Sequence, residues 1–292
     1  MADTVGFIGL GAIGWPMAVH VATSFPTIVW NRTGERAQRF ASEHSADAAA
    51  DLSDLVARCD IVITCLPTSR EVREVLEAAG NVWRAGQLVI DATSGDPAGS
   101  RQNAAWLAER GVGFVDAPVS GGTSGAEAGT LTVMLGGEAN WAERARQYLP
   151  YAAKIEHVGP VGAGHALKAI NNALLALNIV AAGEGLAALV KLGVPGGRAV
   201  DVINASSGRS NVTENLFPER VLSRAWPRTF SAALLDKDLG VALEVLSDTQ
   251  VTSEVFPAVK RLFEKARQAL DAGADHVEVV KVIEGEANTE IR

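Results

Sequence analysis

The sequence has few of the residues that mark secreted or metal-binding proteins. Among its 292 residues, Cys59 and Cys65 are the only cysteines, too few for a disulfide framework or a zinc site. The first residues, MADTVGFIGLG, carry Asp3 where a secretion signal has basic residues. We therefore expect two reduced thiols, no bound metal and a cytoplasmic location.

The sequence also lacks a basic run. It has 26 Lys and Arg residues against 34 Asp and Glu, for a net charge of -8, and the arginines are spread along the chain. A protein without a basic patch has little attraction for a phosphate backbone. Nucleic-acid binding is therefore not expected.

Long apolar runs are missing, apart from residues 173–190, ALLALNIVAAGEGLAALV. This stretch is long enough to raise the question of a membrane helix, but Asn178 and Glu184 interrupt it. A helix that is apolar on every side is typically buried in protein. We interpret it as a buried helix outside any membrane, covered in part by a second subunit of a homodimer or homotetramer.

Strand-like runs are absent after about residue 159, whereas the first half alternates β-rich runs with helical patterns, as in a parallel sheet with crossover helices. The predicted strands cover residues 4–10, 27–31, 61–66, 88–93, 113–118 and 131–137. The predicted helices of the first half include a run through Trp15, Met17 and Val21 and residues 35–41, 71–78 and 99–109. Those after it cover residues 163–192, 198–205, 230–247, 255–272 and 276–284.

These patterns predict an α/β fold with a Rossmann-type, doubly wound sheet in residues 1–162. A connecting helix follows over residues 163–193, and an all-helical C-terminal domain over 194–292. We expect the Pro195-Gly196-Gly197 segment to end the connecting helix, because proline cannot continue it and glycine adopts the conformations that a helix end needs.

A glycine fingerprint follows the first predicted strand. It consists of Gly9, Leu10, Gly11, Ala12, Ile13 and Gly14, and it opens a helical pattern. In a dinucleotide site the first glycine permits a tight turn, the second admits a pyrophosphate, and the third lets the helix pack closely on the strand. The N-terminus of that helix then attracts the phosphates.

The second predicted strand ends in Asn31-Arg32-Thr33, where an NAD-binding protein usually has an acidic residue. A guanidinium group pairs with a 2′-phosphate, which a carboxylate would repel. The sequence therefore predicts a preference for NADP(H), with NAD(H) as the less favoured cofactor.

Four separated motifs resemble those of the β-hydroxyacid dehydrogenases. This family includes 3-hydroxyisobutyrate dehydrogenase, tartronate semialdehyde reductase, glyoxylate reductase and succinic semialdehyde reductase. The motifs are FIGLGAIGWPMA (7–18), DAPVSGGTSGAEAGTLTVMLGG (116–137), GPVGAGHALKAINN (159–172) and LLDKDL (234–239). They occur in the family's order, and Asn31-Arg32-Thr33 is similar to its NADP-linked reductase branch. The resemblance implies hydride transfer between NADP(H) and a small 3-hydroxy acid or semialdehyde acid.

The resemblance also implies roles for individual residues. Ser120, Gly121 and Gly122 match the segment that binds the substrate carboxylate. Lys168 matches the catalytic lysine, and Asn172 matches the amide that supports it.

Further matched positions concern the cofactor. Leu66 and Pro67 match a segment that borders the dinucleotide, and Thr93 matches a position near the nicotinamide. Lys237 matches a lysine of the helical domain that closes over the bound cofactor, and Asp238 after it is expected to be structural.

The residue types agree with the chemistry, because interconverting an alcohol and a carbonyl needs a proton transfer at oxygen beside the hydride transfer. Lys168 and Asn172 are four residues apart, so a helix puts both on one face. Partial burial and a positive nicotinamide would disfavour the ammonium form and let the lysine accept a proton. His165 is the one histidine in this motif, and Lys168 is the better candidate.

Two alternatives remain open. An imine reductase has a similar fold, but those enzymes commonly carry another residue at the position of Lys168, and Ser120 to Gly122 suit a carboxylate. A non-catalytic dinucleotide-binding module needs only the glycine fingerprint and Arg32, and leaves the Lys168 and Asn172 pair unexplained. For substrate selection the candidates are Ser210, Asn211, Phe217, Trp226 and residues 234–239.

Overall fold

The computed structural model of the chain describes residues 3–292, so Met1 and Ala2 of the predicted first domain lie outside the described residues. The chain forms two compact units. The first ends at Lys168, and the second covers Ala169–Arg292.

The first unit contains one sheet, to which all the named strands of the described residues belong. The strands are β1 (Val5–Ile8), β2 (Thr27–Trp30), β3 (Asp47–Ala48), β4 (Ile61–Thr64), β5 (Leu88–Asp91), β6 (Gly113–Asp116), β7 (Val119–Ser120), β8 (Leu131–Gly136) and β9 (Ala152–Gly159). The first six are parallel and lie in the order β3-β2-β1-β4-β5-β6. β8 runs antiparallel to β6 and β7 and parallel to β9.

This strand order is that of the Rossmann fold, with the order reversing between β1 and β4. Helices cover both faces of the sheet. In the first unit these are α1 (Gly14–Ser24), α2 (Gly34–Glu43), α3 (Leu52–Arg58), α4 (Ser69–Ala78), α5 (Pro97–Ala108), α6 (Gly122–Ala128) and α7 (Ala139–Arg146). The predicted doubly wound fold is therefore confirmed.

Neighbouring residues of the central strands belong to different apolar cores. Ile61 and Ile63 of β4 pack in one core with Met17 and Phe40, whereas Val62 between them packs in another. Successive side chains of a strand point to opposite faces. The continuous apolar run of β4 therefore supplies both cores, as expected for a sheet covered by helices on both faces.

The second unit is helical, as predicted. The long helix α8 (Ala163–Lys191) begins in the first unit and continues into the second. The helices that follow are α9 (Gly196–Asn204), a π-helix (Val212–Leu222), α10 (Ala232–Asp248), α11 (Val255–Ala269), a 3-10 turn (His276–Glu278) and α12 (Val279–Ala287). They share an apolar core of their own, which includes Phe217, Leu235 and Phe263.

The predicted end of α8 lies one residue past the observed Lys191, but the residue that ends the helix differs from the prediction. Gly193 has a φ of +87°, its N–H donates to the carbonyl of Val190, and the N–H of Val194 donates to that of Leu189. This pair of bonds is a Schellman motif, which ends a helix at a left-handed glycine. Pro195 and Gly196 instead lie at the start of α9, with Pro195 at its N-cap.

Several elements were not predicted, and one residue was placed wrongly. The prediction omitted β3, β7 and β9, the helices α3, α6 and α7, and the π-helix. The candidate substrate-facing residue Phe217 is fully buried in the core of the second unit, so its side chain packs in that core and does not face a cleft.

α8 is only partly covered within the chain. It is long and apolar enough to cross a membrane, and 39% of its most apolar window is buried. The expectation that protein covers this helix on every side is therefore not met by one copy of the chain.

Both cysteines are free thiols. Cys59 is fully buried, and burial raises the pKa of its thiol to about 12. A thiol with such a pKa is protonated at neutral pH and reacts poorly, so Cys59 is an apolar packing residue.

Candidate active site

Most of the predicted site residues of the first unit follow the carboxyl ends of its parallel strands. Gly9 comes directly after β1, Leu66 closely follows β4, and Thr93 follows β5. Because these strands are parallel, their carboxyl ends lie at one edge of the sheet. Ligands of open α/β sheets bind at this edge, where the strand order reverses.

The glycine loop has the geometry that a dinucleotide needs. Gly9 has a φ of +102°, and a Cβ there would lie 2.2 Å from the carbonyl oxygen of Cys65. At Gly14 a Cβ would lie 2.0 Å from the carbonyl oxygen of Gly9, so α1 packs directly on the turn. A Cβ on Gly11 would meet no protein atom within 4 Å. Packing therefore explains the first and third glycines, and the second leaves room for a ligand.

The first turn of α1 can receive an anion. Its N-cap residue Ile13 makes no side-chain hydrogen bond, and the turn contains no acidic residue among those described. Pro16 has no N–H and the N–H of Trp15 donates to the carbonyl of Gly11, so an anion here would meet the N–H groups that precede them and the positive end of the helix dipole. The residues present thus fit the pyrophosphate of a dinucleotide.

Asn31 has a role that the sequence did not reveal. Its Oδ1 accepts a hydrogen bond from the N–H of Leu10 at 3.1 Å, and its Nδ2 donates to the carbonyl of Thr33 at 3.1 Å. This amide therefore holds the end of β2 against the glycine loop. Arg32 and Thr33 beside it are exposed.

A cavity of about 470 Å³ opens at Gly11 and Ala12, and its wall includes the cationic residues Arg36 and Arg39. Their guanidinium groups lie 5.7 Å and 4.9 Å from the ring centre of Trp15. Arg39 also pairs with Glu43 at 2.8 Å. Arg36 was not predicted as a site residue, although its position four residues after Arg32 was the available signal.

The two segments that follow β4 and β5 are tied together by side chains. The N–H of Leu66 donates to Thr93 Oγ1 at 3.1 Å, and the N–H of Thr93 donates to Asp91 Oδ1 at 3.1 Å. Thr64 Oγ1 donates to the same carboxylate oxygen at 2.8 Å. Thr93 is 1% exposed, so its side chain fixes the Leu66–Pro67 segment in place.

A carboxylate brings the start of α8 to the same edge. Asp116, the last residue of β6, accepts hydrogen bonds from the N–H of Gly162 at 2.6 Å and of His165 at 2.9 Å. Burial raises the pKa of Asp116 above its usual value, while His165 and the two backbone N–H groups oppose the rise. A Cβ on Gly164 would lie 2.3 Å from the carbonyl oxygen of Met134, so this turn of α8 packs directly on β8.

Lys168 lies one turn further along α8 and is half-buried. Asp116 therefore sets the place of the turn that carries this amine, at the edge that also carries the glycine loop.

The predicted carboxylate-binding segment spans the end of β7 and the start of α6. Ser120 is half-buried, and Gly121 and Gly122 have φ angles of +136° and +66°. Both glycines are exposed, and a Cβ on Gly122 would meet no protein atom within 4 Å. Consecutive backbone N–H groups in such turns can bind an anion.

In the second unit, Asp238 joins two predicted site residues. Asn172 is 4% exposed, and its Nδ2 donates to Asp238 Oδ2 at 2.6 Å. The ammonium of Lys237 lies 3.2 Å from Asp238 Oδ1. Asp238 thus orients the amide of Asn172, which keeps one N–H for a further partner.

Comparison with known proteins gives matches over both units. Residues 4–159 match the family described as the NAD binding domain of 6-phosphogluconate dehydrogenase. Residues 162–283 match the family described as NAD-binding of NADP-dependent 3-hydroxyisobutyrate dehydrogenase.

Individual relatives extend over nearly the whole chain. The 2-(hydroxymethyl)glutarate dehydrogenase of Eubacterium barkeri is 36% identical over 96% of this chain and 94% of its own. The structure of Mycobacterium tuberculosis 3-hydroxyisobutyrate dehydrogenase with L-serine has a TM-score of 0.91 and 30% identity, covering 97% of this chain and 99% of that one. The structure of Psf3 in complex with NADP+ and 2-OPP has a TM-score of 0.81 and 26% identity, covering 96% of this chain and 99% of that one.

The sheet, the glycine loop and these matches define an oxidoreductase that binds a nicotinamide dinucleotide. More closely, the chain belongs to the β-hydroxyacid dehydrogenase family and is an NAD(P)-dependent hydroxyacid dehydrogenase acting on CH–OH groups. The predicted family and enzyme class are confirmed, and the alternative of a non-catalytic module is wrong.

The glycine geometry predicts a contrast between two substitutions. Gly11→Ala should unfold at the temperature of the wild type but bind NADP(H) about tenfold more weakly or worse, because its Cβ enters the space that the pyrophosphate needs. Gly14→Ala should unfold at a lower temperature, because its Cβ meets the Gly9 carbonyl. Thermal unfolding and a fluorescence titration with NADPH measure both effects. Unchanged NADPH affinity in Gly11→Ala would contradict this account of the loop.

Proposed function

We propose that the protein is an NADP-preferring dehydrogenase of small 3-hydroxy acids, or the reductase of the matching semialdehyde acids, with Lys168 as general acid and base. The observation that carries the proposal is the anchoring of α8. Asp116 binds the N–H groups of Gly162 and His165, so the turn bearing Lys168 lies at the sheet edge that carries the glycine loop.

The bound dinucleotide supplies the hydride chemistry at its nicotinamide, and the residues of the chain supply the proton transfer. In oxidation, Lys168 Nζ accepts the proton of the substrate hydroxyl. In reduction, the same atom returns a proton to the nascent alkoxide. Asn172, oriented by Asp238, offers its remaining N–H as a hydrogen bond to the reacting oxygen, or orients the lysine by accepting a hydrogen bond from it at Oδ1.

The substrate class follows from the names of the relatives and the carboxylate segment. 3-Hydroxyisobutyrate, 2-(hydroxymethyl)glutarate and L-serine all have a hydroxymethyl group on a carbon that also carries a carboxylate. They differ in the other substituent on that carbon. We therefore propose a 2-substituted 3-hydroxypropanoate as substrate, with its carboxylate bound by Ser120, Gly121 and Gly122.

The proposed proton transfer gives a sharp expectation for Lys168→Ala. Loss of a general acid and base costs about a hundredfold or more in turnover, so kcat should fall by at least that factor. Affinity for NADPH should stay within about threefold, because the glycine loop is unchanged. Steady-state kinetics with 3-hydroxyisobutyrate and its semialdehyde, together with NADPH titration, provide the measurement.

Lys191→Ala is the matched control, because Lys191 is the last residue of the same helix and donates to the carbonyl of Ala287. It should keep the wild-type kcat. A Lys168→Ala enzyme with a tenth of wild-type kcat would refute the assigned role. Faster reduction of a cyclic imine than of the semialdehyde acids would favour the imine reductase alternative instead.

The NADP preference rests on cations near the glycine loop. Arg32 is exposed directly after Asn31, which is bonded to the loop, and Arg36 lines the cavity that opens at Gly11. A pair of guanidinium groups in this place suits the 2′-phosphate of NADP(H). The acidic residue Glu35 between them is also exposed, and it lies in the first turn of α2 rather than at the end of β2.

The wild type should therefore have a higher kcat/KM with NADP+ than with NAD+, and Arg32→Glu should lower that ratio about tenfold or more. Arg228→Glu, an equal charge reversal on an exposed residue of the second unit, should leave the ratio unchanged. Measured kcat/KM values for both cofactors decide the matter. A wild-type ratio below one, or an unaltered ratio in Arg32→Glu, would contradict the proposed preference.

We further propose that a second copy of the chain covers the exposed face of α8. Many exposed residues of the helix are spaced three, four or seven apart, which aligns them on one face. They are Leu167, Asn171, Leu174, Ala181, Gly185, Ala188 and, just past the helix end, Leu192, and the exposed charged residues Glu184 and Lys191 lie beside them. Small and apolar residues predominate, and Leu174 and Leu192 are 48% and 80% exposed. Such a face on two copies is self-complementary across a twofold axis.

Light scattering during size exclusion should give a dimer or tetramer for the wild type. Ala188→Glu should shift it to a smaller species, because the substitution places a charge in the apolar face. Val251→Glu, at an exposed apolar residue between α10 and α11, should leave the mass unchanged. A monomeric wild type, or an Ala188→Glu variant of unchanged mass, would rule out this interface.

A further inference from the structure

His165 lies one turn before Lys168 and is 1% exposed. Its imidazole makes two hydrogen bonds, Nδ1 with Ser100 Oγ at 2.6 Å and Nε2 with the carbonyl oxygen of Thr93 at 2.9 Å. Its backbone N–H donates to Asp116. One residue thus joins the segment after β5, the first turn of α5 and the end of β6 to the start of α8.

The hydrogen-bond partners of His165 determine which of its ring nitrogens donates and which accepts. The carbonyl of Thr93 can only accept, so Nε2 carries a proton and donates it. Ser100 Oγ lies 2.6 Å from Nδ1 and 3.0 Å from the carbonyl oxygen of Asp96, and its single proton serves one of them. When that proton points to Nδ1, both nitrogens of the neutral ring have protein partners. The ring therefore has no nitrogen left to exchange a proton with a substrate.

The surroundings hold the ring in place. A Cβ on Gly95 would lie 2.8 Å from His165 Cε1 and 2.4 Å from Ser69 Oγ, so the backbone after Thr93 packs against the imidazole. Ser69 Oγ in turn accepts the N–H of Asp96 at 2.8 Å. Movement of the ring would therefore disturb the segment that contains Thr93.

Thr93 links the contacts of His165 to the predicted cofactor-binding segment. Thr93 bonds to Leu66 through its hydroxyl and to His165 through its carbonyl. His165 is on the same helix as Lys168, three residues earlier. One hydrogen-bonded ring therefore joins the cofactor-side segment to the lysine turn, in addition to the contacts of Asp116 and Gly164.

We infer that His165 is a positioning residue that holds Lys168 in register with the Thr93 segment. The inference rests on the proposed role of Lys168 and adds the group that keeps this amine in place. Small displacements of a reacting group reduce turnover strongly while leaving ligand affinity largely intact. Loss of the ring's hydrogen bonds should therefore lower kcat and spare cofactor binding.

The test compares His165→Leu and His165→Gln in the full chain. His165→Leu keeps an apolar side chain but loses both ring bonds, and its kcat should fall about 10- to 100-fold. Its affinity for NADPH should stay within about threefold of wild type. His165→Gln offers an amide N–H to the Thr93 carbonyl and should recover kcat to within about threefold of wild type. His157→Leu, at an exposed histidine that also bonds to a carbonyl group, is the control and should keep the wild-type kcat.

Unchanged kcat in His165→Leu would overturn the inference. Equal losses of kcat and NADPH affinity in both variants, together with a lower unfolding temperature, would assign the ring to stability and overturn it as well. If His165→Leu does not fold, Ser100→Ala provides the test. A fall in its kcat of threefold or more at constant NADPH affinity supports the positioning role, and an unchanged kcat contradicts it.

Substantial turnover in Lys168→Ala would instead disprove the proposed function, whatever the result for the His165 variants.

Discussion

The carboxylate of Asp116 is the contact on which the proposed active site depends most. Asp116 is the last residue of β6, and its carboxylate accepts hydrogen bonds from two N–H groups at the start of α8. A single side chain therefore fixes the position at which the long helix leaves the sheet. Those N–H groups would otherwise be unpaired at the start of the helix. Gly164 allows the same turn to lie directly on β8, since any larger residue would collide with the carbonyl of Met134. The place of Lys168 follows from these two constraints.

The other half of the site is built from the ends of parallel strands joined by side-chain hydrogen bonds. Asn31 holds the glycine loop to β2, and Thr93 holds the segment after β4 to the segment after β5. These hydrogen bonds hold the loops at the carboxyl ends of the strands in place. The backbone N–H groups of the glycine loop then remain available for phosphates. Fixed donors of this kind need no rearrangement when a charged ligand binds.

Much of the fold could be predicted because the central strands are short continuous apolar runs, as buried parallel strands are. β3 and β7 escaped prediction because two residues leave no pattern to detect. β9 was missed because Lys154, Glu156 and His157 interrupt its apolar residues. The residue that ends α8 was misassigned because Pro195 and Gly196 are stronger sequence signals than the single Gly193 that ends it.

The candidate residues could be named from motifs, but their contacts could not. Nothing in the sequence indicated that Asp238 orients Asn172, because 66 residues separate them. The burial of Phe217 and the engagement of both nitrogens of His165 depend on tertiary packing in the same way.

The most direct test of the central claim follows the hydride itself. The enzyme would be incubated with NADPH carrying deuterium at both positions of nicotinamide C4 and, separately, with the semialdehydes of 3-hydroxyisobutyrate and 2-(hydroxymethyl)glutarate. Mass spectrometry and NMR should find one deuterium on the new hydroxymethyl carbon of at least one product. NADPH binding with no labelled hydroxy acid formed from either semialdehyde would contradict the account.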